Sequence, residues 1–588
     1  MRHRPKTPIA ALAVGLLVGV AQATPTPSDA MAAYDVVRVW VDAGDVPSEP
    51  ERGGALDPPG TSGVCVTLRF AGRTAGRGVS FEGEGRDLWI AARKAWVDAI
   101  GDLPAGDDAM RPERLALMRP LVQIDIQFAG EPTPLFGDTI PEVAGSVRPG
   151  LDGVASRVGA RTEALFPGTM LAIGMSPSEA LLNTLGAVGM PAPTSLDELR
   201  ERDGLALLRF EVTHLAQAAP ESPPVFLHRG GRVIGLGEVN TASLTDAANG
   251  LASHLVSRVR AERDSPTMTG DIRVGTGHRV SALLADRSQA VAAFALLRFT
   301  RTPGADPVLA QRADRDARRI LASLVRDAGE PIDRDVAAAW LIAFEELRLT
   351  ARWGRGRAQA DQSERDALRA FGVRAAEVLL ADAPGDVPAP ARAFEVYGLA
   401  RVGVFEEDAR PEVLEAAGAR IAELLRQTER DQLVALMPWL GWAVLETSPA
   451  GAGVAPAVAL RELRRMVWAF RIDETELGDD VLGGISFSRG RGALATWQSL
   501  KPLAFLATML GDARLTEPAS KTEQLAELRR SLRFVLQLTV RERETHLARD
   551  PAAVLGSARP APWDFTASAD ASALALLTIC EALRSIAR

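Results

Sequence analysis

The chain is poor in the side chains from which many active sites are built. Its 588 residues include two cysteines, two tyrosines and six histidines. Cys65 and Cys580 alone cannot make a disulfide scaffold or a cysteine-rich zinc site. The histidines (His3, His214, His228, His254, His278 and His546) never stand four residues apart, so a metal site of nitrogen and sulfur ligands is not expected, and no cofactor motif is present. Lysine occurs only at positions 6, 94, 501 and 521, which leaves arginine as the main cation. Neither sign of charge dominates: 67 basic against 75 acidic side chains give a net charge of -8. That balance gives no reason to bind nucleic acid, whose phosphates reward a basic face. The Gly-x-Ser-x-Gly and phosphate-loop patterns are missing, as is the tandem acidic motif of class II terpene cyclases.

What is present is 47% apolar and 24% charged, the profile of a globular chain. Arg2, Arg4 and Lys6 precede an almost wholly apolar run at 9–20, and Ala21-Gln22-Ala23 supplies the small residues of a cleavage site. Residues 1–23 read as a secretory signal cut between Ala23 and Thr24, with an uncleaved anchor as the alternative. The run is shorter than the roughly 20 residues a bilayer-spanning helix needs. Export to the periplasm or the exterior is expected, with no membrane span after cleavage.

Residues 30–216 mix strand and helix patterns. The stretch 31–43 is apolar at helical spacing, 64–70 reads as a strand, and 88–100 puts Leu88, Ala91, Ala92, Ala95, Trp96 and Ala99 on one helical face. Residues 121–128 alternate, so that Gln123, Asp125 and Gln127 are expected to face away from the core. Ser176-Pro177-Ser178-Glu179 is a helix start with a capping box. Residues 217–284 read as a connecting hairpin at 223–234, a helix at 244–259 and a loop.

The run Pro149-Gly150-Leu151-Asp152-Gly153-Val154, then Gly159-Ala160-Arg161, Leu165-Phe166-Pro167-Gly168, a helix and a strand at 207–212, resembles the AMMECR domain family. The resemblance covers roughly 30–216 and implies an α/β fold with a cleft at the family's signature segment. That segment falls on Thr74-Ala75-Gly76-Arg77-Gly78-Val79, with Arg77 where the family has cysteine. Arginine supplies charge and hydrogen bonds but no thiolate. Arg73, Arg77 and Arg86 read as solvated loop arginines, with an anion-binding cluster beside the glycine turn, carried by Arg73 and Arg77, as the alternative.

Residues 285–588 carry a series of about a dozen helical patterns separated by proline and glycine stops. Their irregular spacing fits a closed α/α toroid of about six helical hairpins, with 433–445 expected as one apolar inner helix. The whole is therefore expected to be multidomain, an α/β domain followed by an all-α domain. Candidate chemistry lies on two rim loops: Asp479 and Asp480 with Arg489 ahead of Trp497, and Trp563 with Asp564. Paired carboxylates beside tryptophans suit acid/base hydrolysis of a glycosidic bond. Trp439 and Trp442 read as core rather than as a sugar platform, and Glu345, Glu346, Glu395 and Glu446 as structural carboxylates paired with arginine, with buried acids of raised pKa as the alternative. The expected function is an exported cell-envelope module that binds a ligand such as a glycan or acts as a scaffold; the alternative is a carboxylate-dependent glycan hydrolase in the toroid funnel.

Overall fold

The structure is a computed structural model. It describes residues 24–587 apart from 48–56, 83–84, 102–115, 191–194, 261–265, 330, 351–358, 382–386, 404–409, 449–455, 475–477 and 488–493. The expected signal segment and Arg489 lie outside the described residues.

The first half is built on an eight-stranded antiparallel sheet. Its strands are β1 (Gly63–Phe70), β2 (Arg73–Ser80), β3 (Val122–Ala129), β4 (Thr133–Pro134), β5 (Asp152–Val158), β6 (Arg161–Leu165), β7 (Ala206–Ala216) and β8 (Val225–Leu227). The order is β2-β1-β3-β7-β5-β6, with β4 and β8 also on β7. One face packs against α1 (Pro27–Ala43) and α2 (Asp87–Gly101): Val64, Val66, Leu68, Ile124, Ile126 and Phe128 meet Ala30, Tyr34, Val37, Ala91 and Ala95. α2 lies so close to β2 that a Cβ on Gly76 or Gly78 would stand 2.1 or 2.0 Å from a helix carbonyl oxygen. Glycine at these two positions is what admits the alanine face of α2. A further helix, α3 (Pro177–Ala187), carries the expected capping box between Ser176 and Glu179.

The opposite face of the sheet is covered too. Asp125 and Gln127 are buried, contrary to the half-exposed strand that the alternation predicts, because His546 of the second half comes near Asp125 and the turn at Gly168, whose N–H donates to Gln127 Oε1 at 2.8 Å, packs on Gln127. The core at this seam joins Leu171, Ala216 and Leu227 to Val540, Leu547, Ala548 and Phe565. The segment 223–234 also departs from a free-standing hairpin: Val225–Leu227 pairs with β7, and only His228 and Gly231 bridge across the turn.

The second half is helical. Its larger helices among the described residues are α4 (Thr241–Ser257), α5 (Asp286–Phe299), α6 (Pro307–Asp327), α7 (Arg334–Arg348), α8 (Gln359–Leu380), α9 (Ala389–Gly403), α10 (Pro411–Gln427), α11 (Trp439–Thr447), α12 (Ala457–Ala469), α13 (Leu500–Gly511), α14 (Lys521–Leu538) and α15 (Ala569–Ile586). α5 packs on α7, α7 on α9, α9 on α11, α13 on α15, and α15 back on α5. α11 meets α13 where Trp442 Nε1 donates to Thr508 Oγ1 at 2.9 Å. The expected single helix at 433–445 is divided: Gln432–Leu436 is a 3-10 turn and the α-helix starts at Trp439. Pro438, which has no N–H and crowds the preceding turn, sits at the break.

This half buries charge in its core. Glu346, fully buried, accepts from Arg301 and lies 3.2 Å from both Arg298 and Arg401. Arg298 also reaches Glu581 at 3.0 Å, and Arg401 reaches Glu446 at 2.7 Å. Arg298 and Arg401 stand in the last turns of α5 and α9, where cations are favoured by the helix dipole. Glu395 pairs with Arg334 at 2.6 Å and Glu345 with Arg348 at 3.3 Å. Trp439 and Trp442 are core residues, packed with Phe394 and Tyr397.

Candidate functional site

The rim carboxylates singled out in the sequence have three different environments. Asp479 is exposed, Asp564 is half-buried, and Asp480 is 1% exposed. Asp480 accepts from the buried Arg229 and has His228 Nδ1 3.4 Å away. Arg229 comes from the other side of the seam, donates through Nε to the Pro149 carbonyl at 2.7 Å, and lies over the Trp563 ring at 5.7 Å. A buried arginine needs a paired anion, so Asp480 serves as the counterion that locks the two halves together, and Trp563 is the shelf under that pair. This corrects the expectation of a catalytic set of Asp479, Asp480 and Asp564: one of the three is committed to a structural ion pair.

Trp497 leads to a different group. It lies in a 3-10 turn ahead of α13, tied by its backbone N–H to the Pro560 carbonyl at 2.7 Å. The Lys501 ammonium stands 5.5 Å from the centre of its ring, a cation–π contact. Burial pulls the Lys501 pKa below the usual lysine range, helped by Arg287 and opposed by Asp570. Asp570, in the first turn of α15, is pushed up by burial, against a hydrogen bond with Ser288, and pushed further by Asp271. Asp271 is already engaged, 3.1 Å from Arg258 and accepting the Ala569 N–H at 2.9 Å. Arg287 lies over Phe394 at 5.0 Å. Thus the first turns of α5, α13 and α15 bring together a carboxyl held toward its protonated form, an ammonium, a guanidinium and a half-buried indole. Such a group can stack a ring and hydrogen-bond hydroxyls, and Asp570 can donate a proton.

Sequence reasoning missed Asp570, because an acid in a helix's first turn ordinarily reads as a dipole partner. It also missed the polar face of the sheet. There His214 Nε2 lies 2.8 Å from Asp125 Oδ1 and Arg69 lies 3.3 Å from Asp125 Oδ2. Burial alone would raise the Asp125 carboxyl, yet His214 and Arg69 hold it below the usual range. His546, from the other half, is pushed down to about 4, by burial first and then by His214. Arg77 pairs in register with Thr67 on this side of the sheet, while burial drives the Cys65 thiol up to about 12, which leaves it protonated.

Three cavities bear on the candidate residues. One, of about 720 Å3, is lined by Ala71, Arg73, Thr276, His278 and Arg549 at the seam. The others, of about 520 and about 310 Å3, lie beside Arg232 and Glu544 and beside Phe344 and Arg369. Arg73 therefore lines a cavity, whereas Arg77, Asp479, Asp480 and Asp564 line none of the three. No group of three His, Cys, Asp or Glu side chains fit to hold a metal occurs among the described residues, and no described helix is long and apolar enough to cross a membrane.

No protein-family model matches the chain, and no curated protein matches it. Among solved structures it is similar to the crystal structure of an uncharacterized protein from Pyrococcus horikoshii, with 18% identity and a TM-score of 0.26, over 35% of this chain and 98% of that one.

Proposed function

We propose that the chain is an exported cell-envelope protein that binds a polar, ring-containing ligand, a glycan being the best fit, at the ends of its helices. On this reading the first half is an AMMECR-like domain and the second an α/α toroid of six hairpins. The packing of α5, α7, α9, α11, α13 and α15 on one another supports an inner layer, with α4, α6, α8, α10 and α14 each packed on one of them. The N-terminal ends of α5, α13 and α15 then form one mouth. The observation that carries the proposal is the meeting there of Trp497, Lys501, Asp570 and Arg287. An indole face beside donors and an acceptor is the chemistry that recognises a sugar.

The raised Asp570 carboxyl favours a second reading, a glycan hydrolase with Asp570 as proton donor. Thermal shift of the purified protein against neutral glycans, peptidoglycan fragments, peptides and isoprenoid phosphates separates the two, since a ligand of the native state raises the melting point. Binding predicts a selective shift by a glycan that Trp497→Ala removes, with no product formed. Hydrolysis predicts product, abolished in Asp570→Asn. A shift by no glycan overturns both.

A further inference from the structure

We infer that the seam cavity beside the β1–β2 turn is an oxyanion site for a phosphate group, free or carried on a larger molecule, with walls from both halves of the chain. Arg73 is supplied by β2, His278 by the loop after Ile272–Arg273, and Arg549 by the segment leading into the turn Pro551–Val554. Two guanidinium groups and an imidazole around one opening match a doubly charged acceptor, because each guanidinium presents a planar fork of donors.

The lining contains one carboxylate, Asp550, and its Oδ1 accepts the Ala553 N–H at 3.2 Å. Arg549 is braced by a 2.9 Å hydrogen bond from Nη1 to the Thr276 carbonyl, which spans the wall of the cavity. Arg73 is exposed, and its side chain makes no hydrogen bond or ion pair among the described residues. The opening is also held rigid. Ala71 and Gly72 both take positive φ, 49° and 74°, and a Cβ on Gly72 would stand 2.1 Å from the Arg549 carbonyl oxygen. A residue with a side chain kept in that conformation marks a turn whose shape is over-determined by its surroundings. The volume of about 720 Å3 exceeds what a phosphate ion needs and leaves room for the molecule that carries it.

Calorimetric titration at constant ionic strength with inorganic phosphate, glucose 6-phosphate and glucose tests the site. Saturable binding of one or both phosphates, with none of glucose, is expected; tighter binding of the sugar phosphate identifies a carried group, and equal binding identifies free phosphate. Arg73→Ala should weaken binding by about 10-fold or more, the loss typical of a charge-assisted contact, and Arg73→Lys should restore part of it. Because Arg73 is exposed, its variants should melt with the parent, so the result stands even if Arg549→Ala fails to fold. Unchanged affinity in Arg73→Ala, or no saturable binding of either phosphate, would overturn the assignment.

Discussion

The sheet half and the helical half bury charge in opposite ways. At the seam, charged groups of the sheet half find partners across the boundary, as Arg229 does in Asp480, or act on titratable groups from the other side, as His214 does on His546. In the helical half the network of Glu346, Arg298, Arg301, Arg401 and Glu581 is internal, drawn from α5, α7, α9 and α15 and the turn after α5. The first arrangement couples two bodies; the second holds one together. Cutting the internal network should therefore lower the stability of the helical half, whereas cutting the seam pairs should loosen the docking.

The largest effect is expected for Glu346→Ala. It leaves three arginines facing one another in the core, and removing one partner of a buried charge cluster costs about 3–5 kcal/mol. Urea unfolding followed by circular dichroism measures it; a change within ~0.5 kcal/mol would show the network to be solvated. Asp480→Ala comes next, at about 3 kcal/mol, because the buried Arg229 guanidinium then loses the carboxylate that balances its charge. Here the loss should appear as faster amide exchange at 225–231 before the helical half is affected. Exchange rising equally in both halves would mean that the seam and the helical core are one cooperative unit.

Acid divides the halves less sharply. His254 is pushed down to about 3 by burial and then by Arg258, and His546 to about 4. Their folded pKa values lie below the unfolded value near 6.5, so the unfolded chain takes up the protons first. Stability is whole above about pH 6.5 and drains as pH falls toward 4, at up to ~1.4 kcal/mol per pH unit for each histidine. His254→Leu, which also removes a ring with no hydrogen-bond partner among the described residues, should flatten that slope by half. An unchanged slope would assign the acid sensitivity elsewhere. The smallest effect is expected at the exposed pair Arg430–Glu462, 3.6 Å apart: Arg430→Ala should change stability by less than about 0.5 kcal/mol.

Much of the fold was legible where periodicity and punctuation agree. The helix at 31–43, the strand at 64–70, the capping box at Ser176 and most of the helical series stand close to their expected positions. The failures share a cause: packing between distant segments. Alternation at 121–128 describes a strand with one wet face, and nothing local reports that the turn at Gly168 and His546 will cover it. The rim loop around Asp480 has the acid and glycine content of a solvated site, yet its partner Arg229 is 251 positions away. Trp497 was visible as an aromatic beside a loop, but Asp570 and Ser288 join it only through the packing of α5 against α15.

Hydrogen exchange with and without the glycan that gives the largest thermal shift would test the mouth most directly. Slowed exchange is expected at 286–289, 497–501 and 569–571, with 478–484 unchanged. Slowed exchange confined to 478–484 and 560–565 would contradict it and return the site to the rim loops.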